Sequence, residues 1–282
     1  MKKLMNLMLV TIMVMSMGLS ASAAINTDVE DYAPVIGNFK YDPQVAQKIH
    51  HKEMLADKYY NAKVSGNIEE MKNYKMQLAP VDKSTHSLKS TSSTSSRLSI
   101  YQVAQEKNYW CGYAAIKSLL DFEGVSKTQT TIAQEVYKTS NSCPWYLSNG
   151  DSRDQFPVPN YLEDKIGFYY IPYPYGAAGT TNVQASNIKP KVVATIDAGH
   201  GLMACGRSYG NISGHASILP NYPAKEIGHW LAIDGYKDSG DDTWIVDPAK
   251  SDAVSWGDNI SKYYSITTDK LAAFVKARGL VW

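Results

Sequence analysis

The apolar positions of this chain fall into three textures. Residues 4 to 19 form an apolar stretch, preceded by Lys2 and Lys3 and followed by Ala21-Ser22-Ala23. From about residue 42 to 79 the chain is charged, with apolar residues at helical intervals. Val45 and Ile49 lie one turn apart, Ser65-Gly66-Asn67 breaks the run, and Ile68, Met71, Tyr74 and Leu78 resume it. This predicts a small helical hairpin ended by Pro80, with an apolar stripe too narrow to fold firmly alone. Beyond Leu98 the texture becomes aromatic and is punctuated by Gly and Pro, as expected of a mixed domain.

Within that domain Cys111, Ala115, Leu119 and Phe122 share one helical face and Ile116 and Leu120 widen it. The pattern predicts a helix over 111–123, stopped by Gly124. Shorter helices are expected over 130–137 and 161–166. The β-branched run 192–196 reads as extended. Residues 230–236 and 243–246 flank the turn Lys237-Asp238-Ser239-Gly240-Asp241-Asp242 and predict a β-hairpin. Residues 268–278 close the chain as a helix, with Asp269 in its first turn and Lys276 and Arg278 in its last. Between the two β regions, residues 197–227 read as a long Gly- and Tyr-rich loop covering part of a substrate cleft. Helices first and an antiparallel sheet second predict an α+β fold.

Composition changes this picture mainly by exclusion. In 282 residues, 44% are hydrophobic and 20% charged, which excludes wholesale disorder and collagen-like or coiled-coil chains. Lys and Arg number 28 against 27 Asp and Glu, a formal net charge of +1. That balance argues against a nucleic-acid partner and against a polybasic membrane-surface protein. The basic, apolar, small-residue order at the N-terminus predicts a secretory signal peptide over 1–24, cleaved after Ala23 or Ala24. The exported chain is then extracellular, free or associated with the cell wall, and no later apolar run is long enough to span a bilayer. Residues 84–96, STHSLKSTSSTSS, contain ten Ser or Thr in thirteen and predict a protease-sensitive linker. The expected organisation is a signal peptide (1–24), a helical leader that is a candidate intramolecular propeptide (25–83), a linker (84–97) and a main domain (98–282).

Candidate chemistry converges on four residues. Cys111 stands at the first position of its predicted helix, where the positive end of the helix dipole favours thiolate. Gln105, six residues upstream, can aim a side-chain N–H at the spot served by the Cys111 backbone N–H, and two such donors make an oxyanion hole. His229 opens the first hairpin strand, so a rigid element holds its ring. The second strand ends at Asp247, and antiparallel return allows that carboxylate to approach His229 and orient it. Each has an ordinary alternative: a small buried hydrophobe, a solvated glutamine, a core histidine, and a turn Asp before Pro248. Cys143 and Cys205 remain as a disulfide or as two unpaired thiols. The cluster Asp238, Asp241 and Asp242 lacks the ligand spacing of a calcium loop and reads as a solvated hairpin tip. Neither a cofactor nor a metal is expected.

The stretch Gln105-Glu106-Lys107-Asn108-Tyr109-Trp110-Cys111-Gly112-Tyr113-Ala114-Ala115 resembles the nucleophile segment of papain-like cysteine peptidases. It is similar to the free-standing secreted branch related to the double-glycine-leader peptidases of bacteriocin exporters. The segment from Gly228-His229-Trp230 to Gly235-Tyr236 resembles the histidine strand, and Val246-Asp247-Pro248-Ala249 the acidic segment. The likeness runs from about Ser99 to Ala249, about half the chain. It implies a papain-like α+β fold, in which an N-terminal helix carrying the nucleophile packs on an antiparallel sheet carrying the His and Asp. It also implies Cys111 as nucleophile, His229 as base, Asp247 as orienter and Gln105 in the oxyanion hole, with peptide or protein as substrate. Tyr113 departs from the pattern, since a small residue or proline commonly follows Cys-Gly. The same thiol chemistry would serve a cell-wall amidase or an acyl transferase, and a non-catalytic binding module on this fold is a further alternative.

Overall fold

The structure, a computed structural model, describes residues 42–78, 93–138, 141–147, 152–174, 183–210 and 217–282. The expected signal peptide and all of the Ser/Thr stretch before Ser93 lie outside the described residues. Two helices come first. α1 (Pro43–Ser65) starts where Asp42 accepts from the Gln44 N–H at 2.7 Å, and ends at Gly66 in the left-handed region at φ 74°. α2 (Ile68–Leu78) follows directly. The main domain then runs β1 (Ser96–Arg97), α3 (Cys111–Phe122), α4 (Gln129–Tyr137), α5 (Pro157–Ile166), β2 (Pro172–Tyr173) and α6 (Ala185–Asp197). It continues through β3 (Leu202–Ser208), β4 (Ile227–Lys237), β5 (Asp242–Val246), β6 (Tyr263–Thr267), α7 (Thr268–Val275) and β7 (Gly279–Val281).

The strands form one open antiparallel sheet in the order β2-β7-β3-β4-β5-β6, with β1 paired to the far end of β4. Alternation along the strands supplies two cores. Leu231, Ile233, Ala204, Ile245 and Leu280 pack with α1, α2, α6 and α7; Trp230, Ala232, Met203, Cys205, Val246 and Val281 pack with α3, α4 and α5. The sheet is therefore clad by helices on both faces.

This corrects the expected layout of a nucleophile-bearing N-terminal helix on a sheet. An α+β fold with an open antiparallel sheet is present, but the chain's first helices, α1 and α2, contain no cysteine, and the buried Cys205 sits on strand β3. β3 is invisible to sequence because six of its seven residues are buried, Leu202 to Gly206 without a polar alternation, and it lies inside the stretch read as a cleft loop. Residues 192–196 are helical rather than extended. Their β-branched side chains favour strands, but Ile188, Val192 and Ile196 recur every four residues and bury a helical stripe in the core shared with α1.

α1 is held by buried charges as well as by its apolar stripe. Lys52 Nζ donates to the Tyr169 and Trp282 carbonyls at 2.6 and 2.7 Å and sits over the Phe168 and Trp282 rings at 4.3 and 4.4 Å. Burial drives the Lys52 pKa well below the usual lysine value. Lys63 pairs with Asp197 at 2.9 Å, and Asp197 also accepts from the Tyr59 and Tyr236 hydroxyls at 2.7 and 2.9 Å. Among the described residues no helix is long and apolar enough to cross a membrane.

Asp197 neutralises a lysine that is 3% exposed, so Asp197→Ala removes the carboxylate that faces a buried charge. We expect a loss of about 3–5 kcal/mol in urea unfolding. A loss below about 1 kcal/mol would show that α1 is held by its apolar stripe alone.

Candidate active site

Cys111 is the first residue of α3, and no side chain caps that end; Trp110, at the cap position, contributes none. The first backbone N–H groups of a helix have no partner within it, so this uncapped end presents donors beside the sulfur. Gly112 is required by packing: a Cβ there would lie 2.4 Å from Cys143 Cβ and 3.0 Å from Trp230 Cδ1. Tyr113 is fully buried in the α3 core, edge-on to Trp110 with ring centroids 5.7 Å apart, and does not line the cleft. The departure at that position therefore changes the core and not the cavity wall.

His229, near the start of β4, places Nε2 3.0 Å from Asp247 Oδ1, just past the end of β5. The β4–β5 register, with Ala232 opposite Val246, brings the two residues together. Asp247 is fully buried and every lone-pair direction is used. Oδ1 also accepts from the Ala249 N–H at 2.9 Å, and Oδ2 accepts from the Tyr222 and Tyr264 hydroxyls at 2.9 and 2.7 Å. Burial, then the Asp247 charge, pushes both tyrosines well above their usual pKa, so both remain donors.

His229 is also a neighbour of Cys111. Burial of the ring opposes its protonation, but the adjacent Cys111 sulfur and the hydrogen-bonded Asp247 carboxylate outweigh burial and raise its pKa to about 10. Cys143 and Cys205 differ. Burial drives both thiols well above the usual value, the neighbouring Cys111 sulfur adds to it, and all three cysteines are free.

Gln105 is 2% exposed at the mouth of the same cavity. Its Nε2 donates to the Lys107 and Asn108 carbonyls, each at 2.8 Å, while Oε1 is buried with no hydrogen-bond partner. The strand-like segment before α3 is tied to the Asp247 loop: Gln105 N–H donates to the Pro248 carbonyl at 3.1 Å, and Gln102 Nε2 donates to the Asp247 and Lys250 carbonyls, each at 3.1 Å. Cys111, His229 and Gln105 line one cavity of about 570 Å³, walled by Trp145, Trp230 and Trp256. Asp247 stands behind His229. Among the described residues no cluster of three or more His, Cys, Asp or Glu is arranged to hold a metal ion. His200 pairs with Glu123 at 2.8 Å and is not at the cavity, and His215 lies outside the described residues.

Sequence reasoning missed Tyr222, Tyr264 and Cys205 as neighbours of the site. Tyr264 follows the residue that pairs with Val246 in the β5–β6 register, a contact that needs the strand order. Tyr222 comes from the turn before β4, stacking edge-on with His229 at 5.7 Å. No local pattern marks either.

A sequence profile described as "Peptidase_C39 like family" matches residues 97–270, more than half of the chain. The chain belongs to that family. No curated protein matches the sequence. Among solved structures, the chain is similar to xylellain, a cysteine protease from Xylella fastidiosa, at 14% identity with a TM-score of 0.36. That likeness covers 67% of this chain and 84% of xylellain. Family membership, with a thiol at an uncapped helix start beside a buried His–Asp pair, assigns enzymatic thiol chemistry as the general class.

Tyr264→Phe removes one donor from a buried carboxylate. It should lower stability by about 1.5–3 kcal/mol, measured by urea denaturation. A neutral effect would mean that Asp247 does not depend on that hydroxyl.

Proposed function

We propose that the protein is an exported thiol hydrolase that cleaves peptide bonds, with Cys111 as nucleophile, His229 as acid and base, and Asp247 as the group that orients His229. The observation that carries this reading is the His229 ring, 3.0 Å from the buried Asp247 carboxylate, in the wall of the same cavity as Cys111 at the start of α3. The sulfur attacks the carbonyl carbon to form a tetrahedral adduct. Its oxyanion is held by the backbone N–H groups at the start of α3 and by one Nε2–H of Gln105. In the resting site both Gln105 protons go to neutral carbonyls, and a charged oxyanion competes for one because charge-assisted bonds are about twice as strong. Imidazolium then gives its proton to the leaving amine as the C–N bond breaks. The resulting neutral ring takes a proton from water as its oxygen attacks the thioester, which releases the acid and restores the thiolate–imidazolium pair.

In this reading residues 1–24 are removed on export and 98–282 form the hydrolase domain. Residues 25–83 act as a propeptide, and its described part, 42–78, supports the fold rather than plugging the cleft. Among the described residues none before Gln105 lines the cavity, and α1 packs on α6 and Trp282 in the opposite core.

Cys111→Ala should abolish both peptide hydrolysis and labelling by a thiol-reactive peptide probe; full activity in that variant refutes the assignment. Gln105→Ala should lower kcat by about 10²–10³ with the probe reaction retained. An unchanged kcat would remove Gln105 from the oxyanion site.

A further inference from the structure

The cavity around Cys111 is bordered by cations from three separate elements. Arg207 projects from β3 two residues after Cys205 and so shares its face of the strand. Lys225 stands in the turn before β4. Arg278 lies in the turn between α7 and β7, where its N–H bonds to the Val275 carbonyl at 2.9 Å and its guanidinium donates to the Ala277 carbonyl. Among the described residues the one carboxylate lining the cavity, Glu226, is paired with Arg207. Among the described residues, neither Lys225 nor Arg278 has an ion-pair partner. The chain as a whole has a formal net charge of only +1. The excess is therefore local. Lys225 and Arg278 line one small cavity with aromatic walls, which focuses the field onto the space a substrate enters.

We infer that the cleft selects substrates carrying a carboxylate next to the bond that is cleaved, with Lys225 and Arg278 as its anion-binding residues. This rests on the proposed thiol hydrolase reading for the reaction, but the cleft's preference for anions does not. Arg278, half-buried beside Cys205, is the inner contact, and exposed Lys225 is the outer one. Arg207 is balanced by Glu226 and contributes shape more than charge. The carboxylate is either an acidic side chain or a free peptide C-terminus, since both present the same group.

The test compares alkylation of Cys111 by iodoacetate, an anion, with alkylation by neutral iodoacetamide in the full chain. The rate ratio is normalised to that of glutathione and the modified residue is located by mass spectrometry. The expected ratio favours iodoacetate by about tenfold, falls as salt is added, and drops in Arg278→Gln and further in the Arg278→Gln Lys225→Gln pair. A general loss of fold would also lower the ratio, so each variant is first shown by circular dichroism and urea denaturation to be as folded as the wild type. An equal ratio in the wild type and the double variant overturns the proposal, since His229 alone would then account for any preference. In parallel, peptide pairs differing as Glu against Gln, and as free acid against amide at the C-terminus, distinguish the two sources of carboxylate. Hydrolysis of every neutral member as fast as its acidic partner also overturns the proposal. Absence of all hydrolysis with the alkylation preference intact would instead sink the hydrolase reading and leave anion selection standing.

Discussion

His229 and Asp247 are almost completely removed from water, and a charged pair in that position survives only if its polar atoms are satisfied. The fold meets this condition at Asp247, where a backbone N–H, two tyrosine hydroxyls and the imidazole fill both carboxylate oxygens. Everything proposed for Cys111 depends on that arrangement. The carboxylate and the sulfur raise the pKa of a ring whose burial opposes protonation. The supporting groups come from three places: the turn before β4, the strand β6 and the loop after β5. Forming the site therefore requires that half of the sheet be assembled in register.

The opposite core has similar electrostatics with a different consequence. α1 brings Lys52, Glu53 and Lys63 into the interior, where Lys52 meets main-chain carbonyls and aromatic faces, Glu53 meets Lys191 at 3.4 Å, and Lys63 meets Asp197. Such pairs add little net stability over an apolar core, but they penalise any other docking position, because a misplaced helix would bury them without partners. Fixed in this way, α1 steadies the face of the sheet behind β3 and β4, the strands that carry Cys205 and His229.

Local pattern carried the helices and the β4–β5 hairpin well. The four-residue recurrence through Leu119 and the turn after Tyr236 are signals whose period survives in any tertiary context. It failed where burial is two-sided. Leu202 to Gly206 has no polar alternation, so strand β3 read as loop, and the 192–196 run read as strand because its propensity outweighed a helical stripe that only α1 completes. The layering was equally hidden. Nothing in residues 42–78 shows that their charged positions face inward, since Lys52 and Lys63 find their partners 117 and 134 positions later (169 − 52 and 197 − 63). At the site, Cys111, Gln105, His229 and Asp247 were named from residue type and element ends. The tyrosines that satisfy Asp247, and the cations around the cavity, depend on strand order and could not be read in advance.

The most direct measurement is an NMR titration of the His229 ring in the full chain, assigned by comparison with His229→Ala. The account predicts that the ring stays protonated through neutral pH, titrates near 10, and moves to lower pH in both Cys111→Ala and Asp247→Asn. A ring that titrates at about 6.5, the value of an unperturbed histidine, or one that is indifferent to both substitutions, would contradict it.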